Sequence, residues 1–278
     1  MEDTNAPTIT PLAPAVGAEV FGVDLARPLD DRAFAAIHRA FLDHAVLVFR
    51  DQDIGVTQHL AFTRRFGEPE VHILDQFNLP GFPHILVLSN AKDETGAPLG
   101  LEDAGRYWHT DVSYTEEPSM ASFLFAIDVP PNGGDTLFAG TSAAYAALPA
   151  DLRAQIDGLK GVHGLTKMTA PKMTDEQFAA LKPEIHPLAR THPETGGKAI
   201  YAGAFAMGIQ GLAEDEARKL LDRLADFCAR ERFVYRHRWR VGDFVVWDNR
   251  CVLHQATDFD PPYRRHLHRT TVAGGRPV

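Results

Sequence analysis

The sequence predicts a mainly β fold in which helices brace a double-stranded β-helix (jelly roll) core. Many short segments are apolar throughout or alternate between apolar and polar residues, and turn-forming residues separate them. Only a few segments have the periodicity of helices. A parallel α/β fold would need regular alternation of strands and helices, which is missing from residues 105–137 and after residue 232.

The first part of the chain contains two predicted helices and a buried strand. We expect residues 1–14 to be disordered and residues 16–25 to form a strand and a turn. An aspartate at position 30 or 31 caps a helix, and residues 45–49 are continuously apolar, as in a buried strand. Residues 57–66 predict a second helix that begins at the N-cap Thr57 and ends at Gly67. The buried stripe of the first helix is formed by Phe34, Ile37, Ala40 and Phe41.

Short strands dominate the rest of the chain. Predicted strands cover residues 85–89, 122–128, 135–138, 233–240, 244–247 and 265–272, and predicted helices cover residues 141–148, 151–158, 174–181 and 214–230. A turn at residues 193–197 predicts a hairpin between residues 186–188 and 199–201. Residues 168–183 have few bulky apolar side chains, so we expect them to form a mobile lid.

Composition excludes several classes of protein. The 278 residues are 45% hydrophobic, and no linker divides them, so we expect one domain over residues 1–278. A net charge of −9 without a basic run argues against a nucleic-acid partner. Two cysteines cannot make a disulfide framework. We see neither a signal peptide nor a transmembrane span, and therefore expect a cytoplasmic protein with no membrane partner.

A candidate metal site begins at His109 and Asp111. In a strand, side chains two residues apart leave the same face, so this spacing aims an imidazole and a carboxylate at one point. His254, far downstream, is a candidate third ligand. Two histidines and one carboxylate form the facial triad of non-haem Fe(II) oxygenases. An H-x-D triplet alone also occurs by chance, and 13 histidines make that easier.

The predicted last strand carries two arginines, Arg265 and Arg269, four positions apart. They and Leu267 between them would point to one face of the strand. Guanidinium groups that point into a β structure are costly unless each meets an anion. The sequence therefore predicts two anion sites beside the metal.

Four motifs together resemble the taurine dioxygenase family of Fe(II)/2-oxoglutarate-dependent dioxygenases, which includes the aryloxyalkanoate dioxygenases. They are WHTD at 108–111, PNGGDT at 131–136, WDNRCVLH at 247–254 and RHLHRT at 265–270. The likeness covers about residues 16–277, and the combination is far more specific than any one motif. It implies a 2-oxoglutarate-dependent oxidoreductase (a dioxygenase of the EC 1.14.11 type), with Fe(II) as cofactor and 2-oxoglutarate and O2 as co-substrates.

The resemblance assigns roles to residues of this sequence. His109, Asp111 and His254 would be the ligands of Fe(II). 2-Oxoglutarate would chelate the iron, and Arg265 and Thr136 would bind its far carboxylate.

For the substrate, the resemblance implies a small organic anion whose acidic group is bound by Arg269. The residues His72, Val112, Tyr114 and Phe205 match substrate-pocket positions. The enzyme would hydroxylate a carbon next to a heteroatom (taurine or alkyl sulfonate type, or aryloxyalkanoate type) and release succinate and CO2. Relatives suggest a homodimer or homotetramer.

The sequence departs from the taurine enzymes in three places. Asp75 stands where they have Tyr, Gly105 where they have Asn, and Tyr114 where they have Phe. The first two changes argue against taurine itself and leave an anionic substrate.

Two other functions compete with the dioxygenase. A zinc hydrolase could use the same ligands, but the chain has no H-E-x-x-H motif and no plausible general base beside the triad. A non-catalytic jelly-roll module that binds small acids would not need the paired arginines. We expect structural or surface roles for His163, His186, His192, His237, His266 and His268.

Overall fold

The computed structural model describes residues 6–102, 105–166, 169–170 and 172–278. The helices are α1 (Asp31–His44), α2 (Val56–Arg64), α3 (Thr141–Ala146), α4 (Ala150–Ile156), α5 (Asp175–Ala180) and α6 (Glu214–Cys228). The strands are β1 (Thr8–Pro11), β2 (Ala18–Phe21), β3 (Val46–Phe49), β4 (Asn78–Leu79), β5 (Phe82–Ser89), β6 (Ala121–Asp128), β7 (Thr136–Gly140), β8 (Lys160–His163), β9 (Glu184–Pro187), β10 (Ala189–Thr191), β11 (Lys198–Ile200), β12 (Ala206–Ile209), β13 (Val234–His237), β14 (Phe244–Asp248), β15 (Val252–Ala256) and β16 (His266–Val272). None of the described helices is long and apolar enough to cross a membrane.

Two sheets form the centre of the fold. The larger has eight strands in the order β1-β2-β3-β14-β6-β16-β5-β4, and the smaller has the order β13-β7-β15. Strands far apart in the sequence, such as β3 and β14, lie side by side, as in a jelly roll. The predicted mainly β fold with helices is confirmed, although the sheets do not close into a barrel.

Strand β14 shows how the core is built on both faces of the larger sheet. Its side chains alternate between the two faces. Trp247 points towards the smaller sheet, where its ring centroid lies 5.5 Å from that of Phe138. Phe244 points the other way and meets Phe62 of α2, also at 5.5 Å. Burial on both sides explains why this strand is apolar throughout.

The outer face of the smaller sheet is covered by helices as well. Ala139 of β7 and Leu253 of β15 belong to a buried cluster with Leu152 of α4 and Leu224 of α6. Helices therefore cover the faces of both sheets that point away from the shared core, as the sequence predicts.

The first two helices differ in how well the sequence predicts their ends. Helix α1 begins as expected, because Asp30 Oδ1 accepts a hydrogen bond from Ala33 N at 2.7 Å. Helix α2 begins one residue early, at Val56, because Gly55 is the N-cap and its N–H donates to Gln58 Oε1 at 3.2 Å. The predicted N-cap Thr57 is therefore wrong.

Two further expectations need correction or lie partly outside the described residues. Disorder over residues 1–14 is wrong for Thr8–Pro11, whose backbone pairs with β2; residues 1–5 are not among those described. The expected lid at 168–183 includes Met168 and Pro171, which are also not described. The remainder contains α5 and Met173, which is buried in the core between the two sheets. Motion of this segment stays a prediction.

Candidate metal centre and active site

Two predicted metal ligands lie opposite each other as an isolated antiparallel bridge. The backbone N–H of His109 donates to His254 O at 3.0 Å, and that of His254 donates to His109 O at 2.7 Å. His254 belongs to β15, whereas Asp111 lies in a turn. The predicted extended strand through His109 and Asp111 is therefore wrong. The two side chains meet because the chain turns after His109.

The three predicted ligands form one compact group. Their ligand atoms lie within 4.8 Å of one another, and all three side chains are buried. Nε2 of His109 is 3.7 Å from Asp111 Oδ1, and Nε2 of His254 is 3.9 Å from Asp111 Oδ2. Nδ1 of His109 lies 2.8 Å from the carbonyl oxygen of Tyr107, so Nδ1 donates and Nε2 presents its lone pair to the group. This donor set fits Fe(II).

The electrostatics keep each ligand in the form that binds a metal. Burial lowers the pKa of His109, although Asp111 acts in the opposite direction. Burial, together with His109, lowers the pKa of His254 well below its ordinary value. Burial alone would raise the pKa of Asp111, but Arg269, together with the hydrogen bond from Ser122, holds it below its usual range. Near neutral pH the group therefore offers two neutral nitrogen donors and one negative oxygen donor.

A hydrogen-bond network orients Asp111. Ser122 Oγ, on β6, donates to Asp111 Oδ2 at 2.6 Å, and Asn249 Nδ2 donates to Ser122 Oγ at 2.8 Å. Asn249 Oδ1 accepts from the backbone N–H of Asp111 at 3.2 Å and from Trp247 Nε1 at 3.0 Å. The sequence does not reveal the role of Ser122, because no local pattern shows that a serine on one strand will face a candidate ligand on a distant turn.

The metal centre opens onto a cavity of about 680 Å³, including its mouth. All five predicted substrate-binding residues border it, namely His72, Val112, Tyr114, Phe205 and Arg269. No sequence motif identifies the remaining apolar residues of the wall, which come from separate segments of the chain: Leu74, Leu101, Tyr107, Leu165, Ala170 and Met173.

Aromatic rings form one side of the cavity. The ring of Phe205 lies edge-to-face against Tyr114, with centroids 5.2 Å apart, and against Tyr107 at 5.9 Å. Phe205 also meets the imidazole of His109 at 5.6 Å. The apolar wall is therefore continuous with the metal centre, so that a bound apolar group would lie next to the metal.

Arg269 joins the metal centre to the cavity. It is 7% exposed, borders the cavity, and its Nη1 donates to Asp111 Oδ1 at 3.0 Å. Nearby, burial lowers the pKa of His72 to about 3, and its Nδ1 accepts from Leu74 N at 3.1 Å. The imidazole of His72 is therefore neutral, and Arg269 is the buried charge of this wall that could attract an anion.

Arg265 and Thr136 lie near each other but do not border this cavity. Nε of Arg265 donates to Gly134 O at 3.0 Å, and Thr136 begins β7 two residues later. Thr136 Oγ1 accepts from Trp239 Nε1 at 3.0 Å. Burial lowers the pKa of Arg265 to about 10, and none of the described carboxylates forms an ion pair with it. A guanidinium in this position is suited to receive a ligand carboxylate.

A second buried group, His192, Asp248 and Cys251, has the spacing of a metal site. However, Asp248 already accepts hydrogen bonds from Arg250 N, Nε and Nη2 at 2.9, 2.8 and 2.7 Å, and from His192 Nε2 at 3.0 Å. These bonds occupy the lone pairs that a metal would need. The group is an ion-pair network.

Two of the departures from the taurine enzymes have structural explanations. Gly105 has a φ of +71°, and a Cβ there would lie 2.4 Å from His109 Cε1. An asparagine at this position would collide with His109, a candidate metal ligand. Asp75 begins a short 3-10 turn and is exposed, away from the cavity.

Comparison with known proteins agrees with this geometry. The family model of the taurine catabolism dioxygenase TauD, TfdA family matches residues 8–271. An alpha-ketoglutarate-dependent 2,4-dichlorophenoxyacetate dioxygenase from Cupriavidus pinatubonensis is 36% identical over 275 residues, covering 94% of this chain and 96% of that protein. An alpha-ketoglutarate-dependent sulfate ester dioxygenase from Pseudomonas putida is 32% identical, covering 97% and 90%. The crystal structure of AAD-2 in complex with Mn(II) and N-oxalylglycine has a TM-score of 0.84 and 33% identity, covering 98% of this chain and 99% of that one.

Proposed function

The chain belongs to the taurine catabolism dioxygenase TauD, TfdA family, and we propose that it uses Fe(II), 2-oxoglutarate and O2 to hydroxylate a small organic anion. Membership of this family makes it a 2-oxoglutarate-dependent oxidoreductase of the EC 1.14.11 type. In the proposed reaction, one C–H bond of the substrate becomes C–OH. 2-Oxoglutarate and O2 are consumed, and succinate and CO2 are released.

The donor set at His109, Asp111 and His254 supports Fe(II) as the cofactor. When bound, Fe(II) would supply the one-electron chemistry that activates O2. The protein contributes two neutral imidazoles, an ionised carboxylate and the Ser122–Asn249 network that orients it. Such support of a ligand commonly changes metal affinity by about 10- to 100-fold.

We assign the far carboxylate of 2-oxoglutarate to Arg265 and Thr136. Arg265 has no carboxylate partner among the described residues, and Thr136 offers a hydroxyl at the start of β7. Strand β7 pairs with β15, where Phe138 lies opposite the ligand His254. Thr136 is therefore two residues from the position opposite this ligand, and Arg265 contacts Gly134, two residues before Thr136.

The substrate proposal rests on one observation, a buried arginine in an otherwise largely apolar and aromatic wall. Arg269 would bind an acidic group, and the rings of Tyr107, Tyr114 and Phe205 would contact an apolar body. This combination favours an aryloxyalkanoate or a hydrophobic sulfate ester over taurine, whose body is two methylenes and an ammonium. Oxidation would occur at the carbon next to the heteroatom, which is the ether oxygen of an aryloxyalkanoate or the ester oxygen of a sulfate ester, because Arg269 would hold the acidic group close to Asp111 of the metal centre.

An anaerobic spectrum tests the proposal. The protein is loaded with Fe(II), 2-oxoglutarate is added, and the visible spectrum is recorded while phenoxyacetate, an alkyl sulfate or an alkyl sulfonate is titrated. We expect a visible charge-transfer band with 2-oxoglutarate and a shift of that band with the acid that is the substrate. Arg265→Ala, with the same metal loading, is the control in which the band should need far more 2-oxoglutarate.

The outcomes separate the proposal from its competitors. Folded, metal-loaded protein without any band would exclude the dioxygenase. A zinc hydrolase or a non-catalytic acid-binding module would show neither the band nor consumption of O2 when air is admitted. A band that none of the acids shifts would leave the co-substrate assignment in place and reject the substrate classes.

A further inference from the structure

The turn that follows Asp111 has an unusual backbone. Val112 has a φ of 57°, in the left-handed region where a β-branched side chain is strained. Asp111 belongs to the metal centre on one side, and Tyr114 borders the cavity on the other. We call residues 111–115 the Val112 turn. Strain of this kind persists where surrounding contacts enforce it, and it is frequent at functional sites.

Hydrogen bonds inside the turn stabilise it only in part. The backbone N–H and the Oγ1 hydroxyl of Thr115 both donate to Val112 O, at 3.1 and 2.9 Å. These bonds close the turn. They do not determine how the closed turn is placed relative to the metal centre.

Two histidines from another sheet hold the turn from outside. Nδ1 of His163 lies 3.0 Å from Ser113 Oγ, and Nε2 of His186 donates to Thr115 O at 3.0 Å. His163 is the last residue of β8, and His186 lies on the adjacent strand β9. The two contacts therefore hold Ser113 and Thr115, the second and fourth residues after Asp111, from two paired strands.

The histidines have the properties of a fixed support. Each is 1% exposed, and their ring centroids are 5.1 Å apart. The ring of His163 also stacks on Tyr201 at 5.2 Å. Burial lowers the pKa of His163 to about 3, and burial also lowers the pKa of His186, which faces Arg190 and Glu184. Neither borders the substrate cavity, so the proposed chemistry gives them no other task.

We propose that His163 and His186 are positioning residues, which hold the Val112 turn in its strained conformation and so aim the Asp111 carboxylate at the metal. The inference rests on the proposed function, because it takes Asp111 to be a metal ligand.

The geometry explains why the support matters to the metal. Ser122 and Arg269 hold the carboxylate end of Asp111, at 2.6 and 3.0 Å. Relaxation of Val112 to a negative φ would rotate the peptide that follows Asp111. The carbonyl side of the Asp111 backbone would then move, while its carboxylate and its backbone N–H, which donates to Asn249 Oδ1, are restrained. The same rotation would shift Tyr114 in the cavity wall.

Co(II) alone is the probe that tests this, because its visible spectrum reports coordination without turnover. We expect His163→Leu and His186→Leu each to weaken Co(II) binding by about tenfold and to change the spectrum. Asparagine places an amide where His Nδ1 was, and glutamine places one where Nε2 was. His163→Asn and His186→Gln should therefore recover most of the affinity. Loss of core packing alone would not be rescued by these polar replacements.

A second background isolates the strain. Glycine adopts a positive φ without cost, so the support becomes unnecessary in Val112→Gly. In that background the two leucine replacements should change Co(II) affinity by less than about threefold. Thermal unfolding of the metal-free variants, measured in parallel, shows that each is folded.

Three results would overturn the proposal. The first is unchanged Co(II) affinity in the folded leucine variants, and the second is an equal loss in the Val112→Gly background. If the leucine variants do not fold, Ser113→Ala serves instead, because it removes one hydroxyl from the same contact and should weaken Co(II) binding by about threefold. The third result is an unchanged Co(II) affinity in this serine variant. A natural chain that binds no Co(II) would contradict the proposed function instead.

Discussion

Gly105 lies against the imidazole of His109, and this single contact constrains the metal centre. A Cβ at Gly105 would be 2.4 Å from His109 Cε1, closer than any real contact. We expect Gly105→Ala to move His109 and to weaken metal binding more than tenfold, because displacement of one ligand lowers the metal affinity of the whole site. A metal titration followed by the Co(II) spectrum measures the loss.

The matched control is Gly96→Ala. Gly96 also has a positive φ, +87°, but a Cβ there meets nothing within 4 Å. Both variants should lose about 1–2 kcal/mol of unfolding free energy from the left-handed backbone, whereas only Gly105→Ala should lose metal. Equal metal affinity in the two variants would show that His109 tolerates the added methyl group.

At the scale of residues, the sequence predicts chemistry better than geometry. The H-x-D spacing correctly points to His109 and Asp111 as neighbours, but for the wrong reason, since the chain turns after His109 instead of running on as a strand. The support by Ser122 and Asn249 is invisible locally, because it depends on β6 and β14 lying side by side.

Strand β16 brings two arginines to different places. Arg265 precedes the strand and donates to Gly134, whereas Arg269 lies within it and donates to Asp111. We expect Arg265→Ala to weaken 2-oxoglutarate binding by about tenfold or more, since it removes a charge-assisted contact. It should leave Co(II) affinity within about threefold. Arg269→Ala should weaken Co(II) binding and acid binding together.

Titrations of Co(II) and of 2-oxoglutarate on the same preparations separate these effects. Arg264→Ala is the control, because Arg264 is 63% exposed and pairs with Asp128 at 3.7 Å. The assignment of the two arginines is wrong if both variants lose the same ligand to the same degree.

Helix α6 lacks a side-chain cap. Its N-cap is the exposed Ala213, whose backbone is already extended, and Glu216 stands three residues later. Ala213→Thr would complete a capping box, whereas the isosteric Ala213→Val offers no hydroxyl. We expect the free energy of unfolding of the threonine variant to exceed that of the valine variant by about 0.5–1 kcal/mol. Urea denaturation of the two proteins makes the comparison.

At the scale of elements, the sequence predicts types well and ends less well. The stripe of α1 and the apolar run of β14 are strong signals because burial produces them directly. The start of α2 is missed because Gln58, a side chain inside the helix, caps Gly55. Strand β1 is missed because its mostly exposed residues carry little burial pattern and are ordered by pairing with β2.

For the whole molecule, buried neutral histidines set the response to acid. Burial lowers the pKa values of His59 and His163 from 6.5 to about 3. Between pH 6.5 and 3 the unfolded chain therefore binds more protons than the folded one, so the free energy of unfolding falls as the pH falls. At pH 5 each group accounts for about 2 kcal/mol of this loss.

Urea unfolding at pH 7 and at pH 5 measures the loss directly. His59→Gln is the control, because an amide can keep the 3.1 Å contact with Thr270 Oγ1 but does not titrate in this range. The drop in stability between the two pH values should be smaller in this variant by about 2 kcal/mol. An undiminished drop would show that His59 is not the group that takes up the proton.

The fold class follows from the whole sequence because many short strands with few helices are compatible with few fold classes. The order in which the strands pair does not follow from the sequence, since no local feature of β3 determines that β14 is its neighbour. The cavity has the same limit. Its apolar wall is assembled from loops that are distant in sequence, so only the folded topology reveals it.

The isolated bridge between His109 and His254 has a consequence for how the protein matures. Its two halves are separated by more than 140 residues of chain, and long-range pairings of this kind form late because closing the loop is entropically costly. During synthesis the first two ligands leave the ribosome long before the third. We therefore expect newly made chains to acquire their metal only after β15 has paired with β7. The metal content of a preparation would then measure the fraction of molecules that have completed folding.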